Sequence, residues 1–557
     1  MADAYLELLA HRGVEYLFGN GGTDFGPIID AYARRVQADE AVPQPVTVPH
    51  EIPAMAMAHG YAMVSGKIPA VMVHTIAGTA NAIGGLINAN RAQVPIFFSA
   101  GRTPLTEGGA LGARDMHIHW AQESFDQGSM VREWVKWDYE LRDGADVVSV
   151  VDRALAVAGT EPYGPVYLTL PREVLAAPHD GSDVAVPKRM VPASTVAAPA
   201  LIAAAADALA AAQRPIIITR SLGRDPEAVG ALAALAESLG APVYDPYPTN
   251  ANLPFDHPLH VVAPPDGALA EADVIVVVDS DVPWTPKRQQ PRPDATVIAV
   301  AADPLFSRYP VRGFRVDLNL AGCSRLTLSA LHGELRRRAI DADAVAARRA
   351  EVAATNERLR AAADERAITA GRAAQLQKPW FTRCLQELLD DDAIIVDELG
   401  CDVTQLRGVG PGGFYGVSQA GVLGWSIGAA LGAKLAARDR TVVAVTGDGS
   451  YLFGAPAATH WVARKMDLPV LFLVWNNAKW GAVEGATRMV YPDGWAVRTG
   501  SFPFSDLTPS LDHELLCQAA GGYGERVEDP AELPAALERG LKAVREGRQA
   551  LLNLVAH

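Results

Sequence analysis

Residues 441–477 read TVVAVTGDGSYLFGAPAATHWVARKMDLPVLFLVWNN, and this stretch decides the fold. Its opening, 441–446, is apolar and β-branched, the pattern of a strand buried on both faces of a parallel sheet. The run stops at Gly447-Asp448-Gly449. An Ala-rich helical stretch follows, and a second apolar run, 470–475, stops at Asn476-Asn477. The pattern predicts a strand–turn–helix–strand unit with polar groups at the carboxyl ends of both strands. Open parallel sheets take their ligands at that edge.

The residue types there suit a hard cation beside a phosphate. Asp448 offers a carboxylate and Asn477 an amide oxygen, while the glycines let backbone approach a diphosphate closely. Mg²⁺ prefers such oxygen ligands. Gly-Asp-Gly alone is a common strand-end turn. The 26 residues between Gly449 and Asn476, with a strand on either side, give it weight.

Working outward, the same alternation recurs along the chain. Residues 1–185 read as one α/β unit, with strands at 14–18, 46–48, 70–74, 94–100 and 166–170. Helices are expected at 5–11 and 54–65, and a Gly-containing turn at 76–80. A Pro-bearing linker spans 179–199. A second unit, 200–335, repeats the pattern with strands at 215–219, 241–244, 273–278 and 296–301. An Ala/Arg/Glu-rich connecting helix is expected within 340–375. A third unit, 376–557, holds the opening stretch. The expected fold class is therefore α/β, with three doubly wound parallel-sheet domains. No short-period repeat is visible.

Composition sets limits. A chain of 557 residues is too long for one hydrophobic core. Hydrophobic content of 49 % and charged content of 20 % are those of an ordinary globular protein. A net charge of −15 argues against nucleic acid or an anionic membrane as partner. Cys323, Cys384, Cys401 and Cys517 form no CxxC pair, as expected of free thiols in a reducing compartment. The segment MADAYLELLAHRG is an acidic amphipathic helix, not a basic-then-apolar leader, and no run is long enough to span a membrane. A cytoplasmic protein is expected.

Taken with its flanking strands, Gly447-Asp448-Gly449 … Asn476-Asn477 resembles the diphosphate- and metal-binding motif of the thiamine-diphosphate enzymes. The likeness is to the acetolactate synthase, benzoylformate decarboxylase and pyruvate oxidase branch, and it covers essentially the whole chain. It implies thiamine diphosphate and Mg²⁺ as cofactors. Asp448, the Asn477 side chain and the Lys479 carbonyl would hold the metal, with Gly447, Gly449 and Ser450 beside the diphosphate. The three domains would be pyrimidine-binding, central and diphosphate-binding.

Further segments carry the likeness. His50-Glu51 with Ala58-His59-Gly60-Tyr61-Ala62 resembles the family's HE…A-G-Y-A segment, whose glutamate meets N1′ of the cofactor's aminopyrimidine. The resemblance implies that Glu51 controls the ring's tautomer from an apolar pocket at a strand's carboxyl end. The run from Val73 to Ala82, with His74 and Gly78, is very like the benzoylformate decarboxylase segment bearing an active-site histidine, and a histidine there suits acid–base work. Thr23 matches the serine that this decarboxylase uses near the substrate carboxylate. Gly421-Val422-Leu423-Gly424-Trp425 resembles the segment whose bulky residue, here Leu423, wedges the cofactor into a bent shape. Gln122-Glu123 matches a F-Q-E segment of the synthases but has Ala121 where an aromatic is usual. Val403 and Thr404 are expected near the diphosphate. His119 and His117 read as loop caps, and Arg498 falls on a closing loop at 480–504.

The leading expectation is thus a lyase or carboligase, a 2-oxo acid decarboxylase with carboligase activity. Its substrate would be a small 2-oxo acid, an aldehyde or a 2-hydroxyacyl-CoA. Alternatives are a 2-hydroxyacyl-CoA lyase or oxalyl-CoA decarboxylase-like enzyme, an acetolactate synthase, and a non-catalytic cofactor-binding subunit. The first would want chain beyond the last strand at 550–555. The second fits poorly with the altered Gln122 segment and the lack of a flavin signature. The third would not need both Glu51 and Asp448. In the family these two residues come from different subunits, so a homodimer at least, and a homotetramer, is implied. Neither the substrate nor nucleotide binding by the central domain is legible.

Overall fold

The computed structural model describes residues 1–178, 188 and 193–557. Much of the linker expected at 179–199 lies outside the described residues, and Pro199 already opens a helix, Pro199–Ala211. Three six-stranded sheets organise the chain. The first holds β1 (Tyr16–Asn20), β2 (Gln44–Thr47), β3 (Ala70–Val73), β4 (Phe97–Arg102), β5 (Asp138–Glu140) and β6 (Val166–Pro171), in the order β2-β1-β3-β4-β6-β5. The second holds β7 (Pro215–Thr219), β8 (Val243–Tyr244), β9 (His260–Val261), β10 (Val274–Val278), β11 (Thr296–Ala301) and β12 (Leu318–Ala321), ordered β12-β11-β10-β7-β8-β9. The third holds β13 (Ile394–Glu398), β14 (Phe414–Gly416), β15 (Val442–Gly447), β16 (Leu471–Asn476), β17 (Tyr523–Val527) and β18 (Ala550–Val555), ordered β14-β13-β15-β16-β18-β17. The first and third sheets therefore share one strand order.

The strands are parallel because helices return the chain to the same edge each time. Both faces of each sheet must then be covered, and the central strands are apolar throughout. In the second sheet Ile217, Val276 and Ile298 face one core, with Leu232 and Leu331 packed on them. Their neighbours Ile216, Ile218, Ile275 and Val277 face another core, with Leu269 and Trp284. Successive β-branched residues thus serve opposite layers, as a doubly wound sheet requires.

By compactness the chain forms two units. One comprises Met1–Pro192, Val396–Gly400 and Val417–His557; the other comprises Ala193–Ile395 and Cys401–Gly416. The second unit includes the long helix Ala342–Gly371, whose N-terminus is capped by Asp341, accepting from Asp343 N at 2.9 Å and Ala344 N at 3.2 Å. Among the described residues no helix is long and apolar enough to cross a membrane.

Three expectations need correction. The turn expected at 76–80 lies inside the helix Thr75–Arg91. Gly78 serves proximity there, not bending: a Cβ on it would lie 2.8 Å from the Cβ of Val73. Glu51 does not end a strand. β2 stops at Thr47, and Glu51 opens the helix Glu51–Ser65, with His50 as its cap. The closing loop expected at 480–504 carries two helices, Gly481–Val490 and Trp495–Thr499. The first is supported by an i,i+4 pair, Glu484–Arg488 at 2.6 Å.

In the first unit the helices Glu51–Ser65 and Trp425–Ala436 touch backbone to backbone. A Cβ on Gly60 would lie 2.0 Å from the Ala429 carbonyl oxygen, and one on Gly432 would lie 1.9 Å from that of Met57. No side chain fits there. Gly432→Ala should force the helices apart and lower stability by about 1–3 kcal/mol. Gly230→Ala, in the helix Pro226–Leu239 with nothing within 4 Å of the added Cβ, should instead be neutral or stabilising by up to about 1 kcal/mol. Thermal unfolding of both variants checks the contrast.

Candidate active site

In the first sheet β1 leads out to β2 on one side and β3 lies on the other, so the chain reverses its winding between β1 and β3. Such a switch point leaves a crevice at the strands' carboxyl ends. Asn20 ends β1, and the turn Thr23–Phe25 follows it. His74 follows β3 and caps the helix Thr75–Arg91. Asp24 is buried, and its Oδ1 lies 2.5 Å from His74 Nδ1. Gln122, at the end of the short helix Ile118–Ala121, lies near His74, and its buried Oε1 has no hydrogen-bond partner among the described residues. The Asp24 hydrogen bond holds the imidazole above its ordinary pKa; burial opposes this, and Gln122 and Glu51 add to the rise.

Glu51 is buried on the neighbouring helix. Its Oε1 accepts from Asn20 Nδ2 at 2.8 Å, and its Oε2 from Asn81 Nδ2 at 3.1 Å. Two amides thus fix this buried carboxyl group. Gly78 lies against it, and a Cβ there would come within 3.1 Å of Oε1. Thr23 is exposed and lines a cavity of about 460 Å³ with Arg34, Leu111 and Arg172.

A second group gathers around the turn before Trp425. Asn88 Nδ2 donates to the Val422 carbonyl at 2.8 Å, while its Oδ1 accepts from Ser418 Oγ at 2.8 Å and Val422 N at 3.2 Å. Leu423 consequently borders a cavity of about 230 Å³ with Ile52, Asn81, Gly84 and Phe453. One chain thus brings the surroundings of Glu51 and the Leu423 turn to a single cavity.

The carboxyl edge of the third sheet repeats the design, with its switch point between β13 and β15. Glu398 ends β13 in full burial. It accepts from Gly424 N at 2.9 Å and Ser426 N at 2.8 Å, and from the Ser450 hydroxyl. Burial raises its pKa, and these donors pull it back. Asp448 opens the helix Asp448–Phe453 after β15, and burial raises its carboxyl pKa also. Gly447 faces open space, whereas a Cβ on Gly449 would meet the Trp480 ring at 2.3 Å. The amide end of Asn477 lies 2.8 Å from the Lys479 carbonyl oxygen and 3.2 Å from Asp448 Oδ1.

Thr404, His119 and Arg498 each have local partners. Val403 and Thr404 belong to the second compact unit, in the turn Val403–Gln405, and Thr404 Oγ1 donates to Asp402 Oδ1 at 2.6 Å. His119 caps its own loop, its Nδ1 lying 3.3 Å from the backbone N of Asp115 and of Met116. Arg498 stacks on Trp495, 6.0 Å from the ring centre. The sequence reading missed Asn20, Asp24, Asn81, Asn88 and Glu398. Only Asn20 and Asn81 carried a signal, since both lie in stretches already singled out.

Three domain families match the chain in order: the thiamine pyrophosphate enzyme N-terminal TPP binding domain over residues 1–130, the central domain over 202–331 and the C-terminal TPP binding domain over 400–553. A benzoylformate decarboxylase of Pseudomonas aeruginosa is 28 % identical over 98 % of this chain and 97 % of its own length. A probable 2-ketoarginine decarboxylase of the same organism is 31 % identical, over 97 % and 91 %. An acetolactate synthase of Bacillus subtilis is 23 % identical, over 97 % and 91 %. The solved 4-hydroxybenzoylformate decarboxylase of Rhodococcus jostii has the same fold, with a TM-score of 0.79 at 23 % identity, covering 100 % of this chain and 99 % of that one. With its two switch-point clusters and these matches along its whole length, the chain belongs to the thiamine pyrophosphate enzymes, in the branch that holds benzoylformate decarboxylase and acetolactate synthase.

Proposed function

We propose that this thiamine-diphosphate-dependent enzyme is a 2-oxo acid decarboxylase of the benzoylformate decarboxylase kind, with carboligase activity and a requirement for Mg²⁺. The observation that carries the reading is His74, held by Asp24 within the field of Glu51 at a ligand-binding edge. Relatives bearing decarboxylase names over nearly the full length support it.

The residues present fit the cofactor and its metal. The Asn477 amide lies beside Asp448 Oδ1 and the Lys479 carbonyl oxygen, so an amide, a buried carboxyl group and a carbonyl converge. A diphosphate-bound Mg²⁺ suits such oxygen donors and needs few protein ligands. Asp448, Asn477 and Lys479 would therefore hold Mg²⁺. Gly447, Gly449 and Ser450 would border the diphosphate, the Ser450 hydroxyl being fixed by Glu398 and Gly424.

Thiamine diphosphate, when bound, supplies the electron sink for breaking or making a C–C bond beside a carbonyl. Glu51, its oxygens fixed by Asn20 and Asn81, would meet the pyrimidine edge and hold a proton there. Gly78 leaves room beside it, and Leu423 would press the cofactor into its bent form. His74 would hold or deliver a proton at Nε2. Thr23 and Gln122 would line the approach for a small 2-oxo acid, and a homodimer or homotetramer is part of the same reading.

Glu51→Gln should bind thiamine diphosphate and lose turnover by roughly 10²–10⁴-fold; full activity would remove the proton role. Asp448→Ala should weaken Mg²⁺-dependent cofactor binding on the order of 100-fold or more in calorimetry. A substrate screen decides the reaction class. Aryl-substituted and guanidino-substituted 2-oxo acids, pyruvate and 2-hydroxyacyl-CoA esters would be supplied with thiamine diphosphate and Mg²⁺. Aldehyde and CO₂ released from a 2-oxo acid are expected. Acetolactate from pyruvate without free aldehyde, or cleavage of the CoA esters alone, would sink the decarboxylase reading.

A further inference from the structure

Asp24 sits behind the proposed proton-handling residue in an arrangement that backbone shape alone does not require. It lies in the Thr23–Phe25 turn after β1, and His74 lies after the adjacent β3, so the pair spans the switch point of the first sheet. Asp24 is only 4 % exposed. Its Oδ1 meets His74 Nδ1 at 2.5 Å, and its buried Oδ2 has no hydrogen-bond partner. Among the described residues the ion pair of this carboxylate is with His74. A buried carboxylate is costly unless a positive partner compensates it, and the imidazolium is that partner here.

Two glycines from different elements make room for the couple. A Cβ on Gly22 would lie 2.1 Å from His74 Nδ1, and one on Gly101 would lie 1.6 Å from Asp24 Oδ2. The ring is thereby packed against the β1 turn, and the carboxylate against β4. Both nitrogens of the imidazole cannot serve one purpose: a bond from Nδ1–H to carboxylate fixes the tautomer and leaves Nε2 to exchange a proton.

We propose that Asp24 is a positioning residue for His74: its buried carboxylate accepts the Nδ1 proton, orients the ring and keeps the imidazole charged, so that Nε2 is the atom that donates. The proposal rests on the reading that His74 acts on the substrate. The groups that face His74 are Asp24 from the β1 turn, Gln122 from the end of the helix Ile118–Ala121, Glu51 from its own helix, and His119, whose pKa is lowered by burial and in part by His74. Asp24, Gln122 and Glu51 raise the His74 pKa, Asp24 most. A raised histidine keeps its charge at pH values below the raised pKa and loses it as pH climbs through that value. Removing Asp24 therefore moves the loss of charge to lower pH.

The test reads His74 directly. Diethyl pyrocarbonate acylates the neutral imidazole, and peptide mass spectrometry reports the rate for each histidine as a function of pH, in enzyme holding thiamine diphosphate and Mg²⁺. In the unaltered protein the His74 midpoint should lie above that of free N-acetylhistidine acylated under the same conditions. In Asp24→Asn, which keeps shape and removes charge, the midpoint should fall by about one pH unit or more, given the usual effect of a neighbouring carboxylate. The alkaline limb of kcat/KM should move down by the same amount. An unshifted midpoint in Asp24→Asn would overturn the proposal. So would a His74 midpoint in the unaltered enzyme at or below that of free N-acetylhistidine, a measurement that stands even if the variant fails to fold. His74→Ala separates the two ideas: wild-type turnover in that variant removes His74 from the reaction, whereas the acylation midpoint in Asp24→Asn still decides whether Asp24 governs the ring.

Discussion

The contact between the helices Glu51–Ser65 and Trp425–Ala436 is the constraint from which the rest of the site follows. Gly60 sits against the carbonyl of Ala429, and Gly432 against that of Met57, at separations that leave no space for a methyl group. Such closeness lets many backbone atoms make dispersion contacts at once, each small and together large. It also leaves one axial register, because a one-residue slide would drive Cβ atoms into carbonyl oxygens. That register carries Asn88, on the helix Thr75–Arg91, to within hydrogen-bonding reach of Ser418 and Val422. The Leu423 turn is then fixed beside Ile52 and Asn81, the immediate neighbours of Glu51 in sequence and in hydrogen bonding.

A second theme is how the unit manages carboxylates removed from water. Asp24, Glu51 and Glu398 are all buried, and the hydrogen bonds described for them involve no Lys or Arg. Glu51 is held by two amides, Glu398 by two backbone N–H groups and a hydroxyl, and Asp24 by an imidazole. The neutral donors around Glu51 and Glu398 compensate part of the desolvation cost without cancelling the charge, whereas Asp24 is offset by an imidazolium. A carboxyl group kept in that state can hold, share or orient a proton, which a group locked in an ion pair with arginine cannot. The first and third sheets share their strand order, and each sets one of these carboxylates at its switch point. Repeating one topology has produced two similar crevices with different chemistry: imidazole and carboxylate in one, an oxygen nest in the other.

Much of this was legible from residues taken in order. β-branched runs such as 274–278 fixed both the strands and their burial, since parallel sheets need apolar residues on both faces. The Gly-Asp-Gly turn and the Asn-Asn pair marked strand ends, where β15 and β16 do stop. Where reading failed, packing had overruled local preference. Ile76 to Ala80 looked like a turn because of Gly78, yet the glycine is there so that a helix can pass close to Val73 and Glu51. The hold on Glu51 was equally out of reach, because Asn20 and Asn81 arrive from two other elements.

The sequence by itself determined the fold class, the ligand-bearing strand ends and the family, because these depend on local periodicity and on short motifs at fixed spacing. Only the tertiary structure decided which groups meet. Asp24 and His74 are separated by two helices and two strands, and Glu398 and Ser450 by a turn, two strands and a helix. No local pattern encodes such pairings. They arise from the order in which strands are laid into a sheet and from the glycines that let neighbouring elements close to contact.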